Sequence, residues 1–305
     1  MKKILKIIIM IFLLVILKSN ISYGFSKDEN SLDKVTIKRD ILVIMLSYED
    51  LIKDIEKGEE GTIYLVTKNG EKIIYDDNKV KSYDSKISNG DLQDSLEIIY
   101  PLESIDKVMD KNVDPGRIRS YPFLEAVYGN SREKIEKTLT YVPTYYGNIL
   151  FNKLAAENLK ITFDEIKNII NSNPKVGEYV TPISGTYNYR VIQDTGRLSP
   201  HSYAIAIDLH RNNADYWKWV NKEVGSSRIA SYPKDLVKAF ENNGFVWGGK
   251  WEHFDILHFE YRPEIILKSK YFGTIENEEF KNWHDGVPIN EKTSKIIEFI
   301  DSKNL

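Results

Sequence analysis

Five histidines (His201, His210, His253, His258 and His284) and no cysteine set the chemistry open to this 305-residue chain. Without cysteine there is no disulfide, no thiolate metal site, no Cys nucleophile and no lipidated Cys anchor. Imidazoles and carboxylates remain as strong metal ligands. His201 stands in the run Ser199-Pro200-His201-Ser202-Tyr203-Ala204-Ile205-Ala206-Ile207-Asp208. From Ala204 to Leu209, small or acidic residues alternate with large apolar ones, which reads as a half-buried strand. Ala204, Ala206 and Asp208 share one face, so two small side chains keep the space beside the carboxylate clear. A carboxylate there needs a cation or hydrogen-bond donors to offset its desolvation. His201, seven residues earlier, can share a metal with Asp208 if a turn precedes the strand, and zinc accepts such a pair.

A third ligand comes from Asp255-Ile256-Leu257-His258-Phe259-Glu260. Two histidines and one carboxylate, with a fourth position open, is the catalytic rather than the structural zinc pattern. Such a metal polarises a carbonyl and activates water, and a general base must then stand nearby without ligating. Asp255 is the candidate. On an ideal strand Asp255 and His258 face opposite ways, so Asp255 must sit in a bend just before the strand.

The remaining polar residues each carry a plainer reading as well. Glu260 has the parity of His258 and can support it, or be a surface acid. His253 can contact substrate or be merely exposed. Ser199 is read as hydrogen-bonding toward the metal ligands; no G-x-S-x-G elbow supports a nucleophile. His210 is expected in solvent or behind the ligands, and His284 is expected to be inert. Trp217, Trp219, Trp247 and Trp251 are expected to pack the core. No H-E-x-x-H helix is present, which excludes a thermolysin-like site.

The runs SPHSYAIAID and DILHFE resemble the zinc D-alanyl-D-alanine carboxypeptidase family, which includes vancomycin-resistance-type D,D-peptidases and phage L-alanyl-D-glutamate endolysins. The resemblance implies His201, Asp208 and His258 as zinc ligands and Asp255 as base. Tyr187-Asn188-Tyr189-Arg190 is similar to an upstream arginine motif. It implies Arg190 as the group that binds the substrate carbonyl or carboxylate; Arg197 is its rival, and a simple salt bridge is the plainer role. Gly244 to Trp251 is similar to the Trp/Gly-rich lead-in of the D-x-x-H-F-E subgroup. The family glycine is Ala204 here, a replacement expected to narrow the cleft. The resemblance covers about 180–264; Asp114-Pro115-Gly116-Arg117 and 121–129 are only loosely similar to longer members.

These residues need elements to place them. The expected class is α+β: a small, mainly antiparallel sheet carrying the zinc site, flanked by helices, with an N-terminal accessory region. Residues 1–24 read as a signal peptide, 25–135 as the accessory region, 136–270 as the catalytic domain and 271–305 as a tail. In the accessory region Ile41 to Leu46 is a short apolar element. Asn69-Gly70 between Thr62–Thr67 and Glu71–Tyr75 marks a hairpin. Asp76 to Asp91 reads as a loop, and Asp114-Pro115-Gly116 as a turn. From about 136 the pattern reads as helical, with Ile149, Leu150, Leu154 and Ala155 at helix spacing. Thr162 and Glu165 form a capping box opening a second helix, which stops near Pro174. A helix over 233–243 should end at Gly244, and 254–261 should be a strand. The tail holds one amphipathic helix using Ile296, Ile297 and Ile300.

Lys2, Lys3 and Lys6, the apolar run from Ile7 to Leu17 and Ser22-Tyr23-Gly24 make an export signal, cleaved after Gly24 or kept as an anchor. No stable membrane span is expected in the mature protein. Cleavage removes four lysines and no acids, moving the formal charge from −3 to −7. An acidic exported chain does not suit nucleic acid, whose phosphates need a basic face. A secreted or wall-associated monomer is expected. The resemblance implies peptidoglycan stem peptides as substrate, cut most simply at a D-alanyl-D-alanine terminus. An L-alanyl-D-glutamate-type endopeptidase and a non-catalytic zinc-containing wall-binding module are the alternatives.

Overall fold

The computed structural model describes residues 29–193, 195–273, 281–303 and 305. The export segment read at 1–24 lies outside the described residues. Contacts divide the chain after Thr36. The described residues of the first unit open helix α1 (Glu29–Ser47), and the second unit is Ile37–Leu305.

Within the second unit, the apolar element expected at 41–46 is the buried part of α1. Strands β1 (Ile52–Lys57), β2 (Ile63–Thr67) and β3 (Lys72–Asp76) form an antiparallel sheet in that order. The β2–β3 hairpin is the one the sequence predicts, with Gly70 at φ 83° in its turn. The stretch expected as a loop at 76–91 is partly helical. Ser82 caps helix α2 (Tyr83–Asn89), and the Asp91/Asp94 capping box opens α3 (Leu92–Leu96). Lys81 ties the region down by ion pairs with Asp77, Asp91 and Asp94 at 2.9, 2.6 and 2.7 Å. Helices α4 (Tyr121–Tyr128) and α5 (Arg132–Glu136) follow.

The helical reading from 136 holds only in part. Ile149 and Leu150 lie in a hairpin of β4 (Leu139–Thr144) and β5 (Gly147–Asn152), whose alternation buries Ile149 and Phe151. The Asn152 side chain then caps α6 (Lys153–Ser172), a single helix. Thr162 opens no second helix because its Oγ1 donates to the Asn158 carbonyl at 2.7 Å, one turn back, and the helix continues through it. Buried Ala155, Leu159, Phe163 and Ile166 give α6 its inward stripe. The short α7 (Gly177–Val180) follows.

The third sheet carries the candidate site. It contains β6 (Ala206–Asp208), β7 (Phe245–Trp247) and β8 (His258–Tyr261), antiparallel in the order β6-β8-β7. Helices α8 (Lys222–Ser231) and α9 (Lys234–Asn242) lead into β7 through Gly244 at φ 84°. Both site strands are shorter than the sequence suggests. Ala204 lies outside β6 in the left-handed region, φ 54°, where it ends a 3-10 turn over Pro200–Tyr203. Left-handed backbone costs an L residue about 1–2 kcal/mol, which is the physical reason glycine suits this position.

Phe240 of α9 stacks on Phe259 of β8 with ring centroids 3.9 Å apart. The sheet also packs against the segment before residue 136. Tyr100 donates to Glu241 at 2.6 Å and accepts the Trp247 backbone N–H at 3.0 Å. Helices α10 (Pro263–Phe272) and α11 (Glu291–Asp301) complete the chain, the latter burying Ile297 and Ile300 as its periodicity predicts. The result is an α+β protein with small antiparallel sheets, as expected.

Candidate metal centre

The 3-10 turn and two paired strands bring three distant side chains together. Asp208 and His258 pair directly across β6 and β8, and His201 lies in the buried turn that precedes β6. His201 Nε2 is 3.2 Å from Asp208 Oδ2, and His258 Nδ1 is 2.9 Å from Asp208 Oδ1. Neighbouring ligand atoms around a tetrahedral zinc, each about 2.0–2.2 Å from the metal, stand roughly 3.3 Å apart. The three ligand atoms lie within 4.8 Å of one another and fit one small divalent ion.

Tautomers agree with that arrangement. His201 Nδ1 donates to the Thr186 carbonyl at 2.7 Å, so its Nε2 keeps the lone pair. His258 Nε2 is buried 3.5 Å from Glu260 Oε2, which frees Nδ1 to ligate. Glu260 is itself buried and held by Arg119, whose Nε donates at 2.9 Å and whose Nη2 completes a fork. Burial favours protonated Glu260, but the Arg119 charge and hydrogen bonds outweigh it and hold the acid well below the usual carboxylate range. A carboxylate behind a ligating imidazole orients the ring and raises its basicity.

The same contacts govern protonation. Burial disfavours charge on His258, yet its hydrogen bonds to the Asp208 and Glu260 carboxylates overcome this and push its pKa up to about 10. Burial would raise Asp208, but both imidazoles hold it well below the usual carboxylate range. Gly185 pairs with Asp208 on the open edge of β6, and a Cβ there would stand 3.0 Å from Asp208 Oδ2.

Asp255 meets the geometric demand made by its parity. It lies in a turn just before β8: the His258 N–H donates to the Asp255 carbonyl at 3.1 Å, and Asp255 makes an isolated bridge with Tyr216. A side chain on Gly248 would collide with the Asp255 carbonyl, which accounts for glycine in the Trp247-Gly248-Gly249 run. Burial raises the Asp255 carboxyl to about 6, with His258 opposing and Asp208 adding to the shift.

His201, Asp208, Asp255 and His258 line one pocket of about 280 Å³. Arg190 and Arg197 line it too. Arg190 has no acidic partner among the described residues; Arg197 donates to the Ile87 carbonyl and lies over Tyr121. Ser199 also reaches the pocket, but its Oγ accepts the His201 backbone N–H at 3.4 Å rather than touching an imidazole. His253 lines the pocket, whereas His210 and His284 do not. Trp247 and Trp251 are buried; Trp217 borders the pocket and Trp219 is half exposed under Arg211.

Residues 193–261 match the D-alanyl-D-alanine carboxypeptidase family. The resemblance seen in the motifs therefore stands. No solved structure matches the chain. The carboxypeptidase match runs through β6, β7 and β8 and contains all three candidate ligands and Asp255, but neither Arg190 nor anything before it. It supports a metallopeptidase of the kind that acts on cell-wall peptides.

Outside the matched segment, Arg117, Arg119 and Tyr121 also line this pocket. This region holds no histidine, so its sequence shows no catalytic constellation. The signal was the Asp114-Pro115-Gly116-Arg117 turn. It forms with the Arg117 N–H donating to the Asp114 carbonyl at 3.0 Å and Gly116 at φ 90°. The turn docks on the lead-in to β8: Trp251 Nε1 donates to the Pro115 carbonyl at 2.7 Å. Among the described residues no helix is long and apolar enough to cross a membrane.

Proposed function

We propose that this protein is a zinc-dependent D-alanyl-D-alanine carboxypeptidase that trims peptidoglycan stem peptides outside the cytoplasm. The observation that carries the reading is the meeting of His201 Nε2, Asp208 and His258 Nδ1 in a pocket that Asp255 and Arg190 also line. When bound there, zinc supplies a Lewis acid for the scissile carbonyl and brings the pKa of water toward neutrality.

The chain's own residues do the rest. Asp255, with its pKa at about 6, is ionised at neutral pH and takes a proton from the attacking water. Arg190, which has no acidic partner among the described residues, binds the substrate's carbonyl or terminal carboxylate and offsets the negative charge that develops on oxygen. Arg117, Arg119 and Tyr121 also line the pocket, and an arginine-rich lining suits the anionic end of a stem peptide. On this reading 136–270 is the catalytic domain, 25–135 an accessory region that helps to close the pocket, and 1–24 an export signal. Asp255 beside the three ligands also favours an enzyme over a binding module, which needs no base.

Mass spectrometry of purified muropeptides incubated with the protein tests this. Loss of one D-alanine, abolished by a chelator, is expected. Cleavage between L-alanine and D-glutamate would establish the endopeptidase instead, and products unaffected by the chelator would remove zinc from the mechanism.

A further inference from the structure

Four arginines line the pocket, and acids already engage two of them. Arg117 lies 3.7 Å from Asp114 Oδ2 and donates to the Tyr83 hydroxyl at 2.8 Å, while Arg119 is forked to Glu260. Arg190 and Arg197 have no acidic partner among the described residues, and the chemistry described so far uses Arg190 alone.

Local backbone pairing places both. Val191 and Leu198 form an antiparallel bridge; the Ile192 N–H donates to the Arg197 carbonyl at 2.8 Å and the Ser199 N–H to the Arg190 carbonyl at 3.0 Å. Alternation then puts Arg190, Ile192, Arg197 and Ser199 on one face and Val191 and Leu198 on the other. The first four line the pocket, whereas Val191 is exposed. Arg190 and Arg197 are diagonal neighbours on the pocket face, which sets their Cβ atoms roughly 7 Å apart. The rung of Arg190 and Ser199 adjoins the His201 turn: the Arg190 N–H donates to Ser202 Oγ at 2.9 Å, and Ser199 caps the turn. The rung of Ile192 and Arg197 lies further along the hairpin.

The Arg197 side chain is held in place. Its Nη1 donates to the Ile87 carbonyl, and its guanidinium lies over the Tyr121 ring, 5.5 Å from the centroid. A guanidinium carries five N–H donors in a rigid fork, so one carbonyl and one ring leave donors for a carboxylate. A carboxypeptidase substrate has one residue beyond the scissile bond, with one carboxylate on it. A second anion must therefore come from upstream, and the nearest side chain there that can carry one belongs to the third residue of the stem.

We propose that Arg197 is a specificity-determining residue that binds a second substrate carboxylate, on the residue preceding the D-alanyl-D-alanine end. The substrate class is then a stem peptide whose third residue is a diamino dicarboxylic acid; a lysine there would bring an ammonium and no anion. The proposal rests on the peptidase reading. It gives the 25–135 region a part in substrate choice, because Ile87 and Tyr121 hold Arg197.

The test compares kcat/KM of the metal-loaded full chain on stem pentapeptides ending in D-alanyl-D-alanine. Their third residue is meso-diaminopimelate, the same residue with its side-chain carboxylate amidated, or lysine. The wild type should favour the free carboxylate over its amide and over lysine by roughly 10- to 100-fold. Arg197→Gln should keep its metal and its circular dichroism and cut the carboxylate and amide peptides at equal rates. Equal wild-type rates on those two peptides, a comparison that needs no variant, would overturn the proposal alone, as would an Arg197→Gln protein that keeps the preference. A fourth peptide carries the amide on its C-terminal carboxylate instead. If Arg197→Gln loses sensitivity to that amide and not to the side-chain one, Arg197 holds the terminal carboxylate and the proposal falls. A wild-type protein that leaves every peptide intact would overturn the peptidase reading and the proposal with it.

Discussion

Asp208 and His258 face each other on one rung of the β6–β8 ladder, with His258 Nδ1 2.9 Å from Asp208 Oδ1. Backbone pairing therefore places two of the three candidate ligands, and the turn at 200–203 adds the third. Asp208→Ala is predicted to weaken zinc binding beyond the roughly 100-fold upper end typical of partners behind the ligands. Calorimetric titration with zinc checks the loss, and circular dichroism checks that the fold remains.

Metal binding should release a proton. In the metal-free protein His258 holds its proton up to about pH 10, and the metal requires the neutral ring. At pH 7 the metal must displace that proton, so zinc affinity is predicted to climb with pH until about 10. Calorimetry in buffers of different ionisation enthalpy measures the number released; about one is expected from His258.

Asp255→Asn is expected to retain zinc and lower kcat by roughly 100- to 10,000-fold, the range that general-base catalysis contributes. The base must be ionised, and its pKa lies at about 6. Wild-type kcat/KM should therefore fall as pH drops through about 6, and the residual activity of Asp255→Asn should lack that acid limb. Rate profiles of the two proteins decide it.

Gly185 is a point where backbone packing touches the metal chemistry. An added Cβ would press on Asp208 Oδ2 from 3.0 Å, tighter than side chains normally approach. Gly185→Ala is predicted to weaken zinc binding roughly tenfold by turning the carboxylate. Competition against a chromogenic chelator measures this. Unchanged affinity would mean that the Asp208 carboxylate tolerates the displacement.

The candidate ligands and base are legible because each sits in a short local pattern: His201 and Asp208 within one turn and strand, Asp255 and His258 around one bend. Parity alone placed Asp255 in a turn before β8, where it lies. Other features depended on contacts that no local pattern records. Ile149 and Leu150 fit helix and strand spacing equally, and the pairing of β4 with β5 decided between them. Thr162 looks like a cap, but its hydroxyl is spent on Asn158 within a continuous helix. Ala204 reads as strand by alternation, yet the turn behind it needs a left-handed residue. Arg119 reaches Glu260, and Asp114 reaches His253, across some 140 positions. Nothing in the sequence near either residue announces those meetings.

Anomalous X-ray diffraction at the zinc edge, on crystals of the metal-loaded protein, tests the central claim most directly. The account predicts one strong peak bonded to His201 Nε2, an Asp208 oxygen and His258 Nδ1, with Asp255 beside it but outside bonding distance. A peak elsewhere, or none at these three side chains, would contradict it.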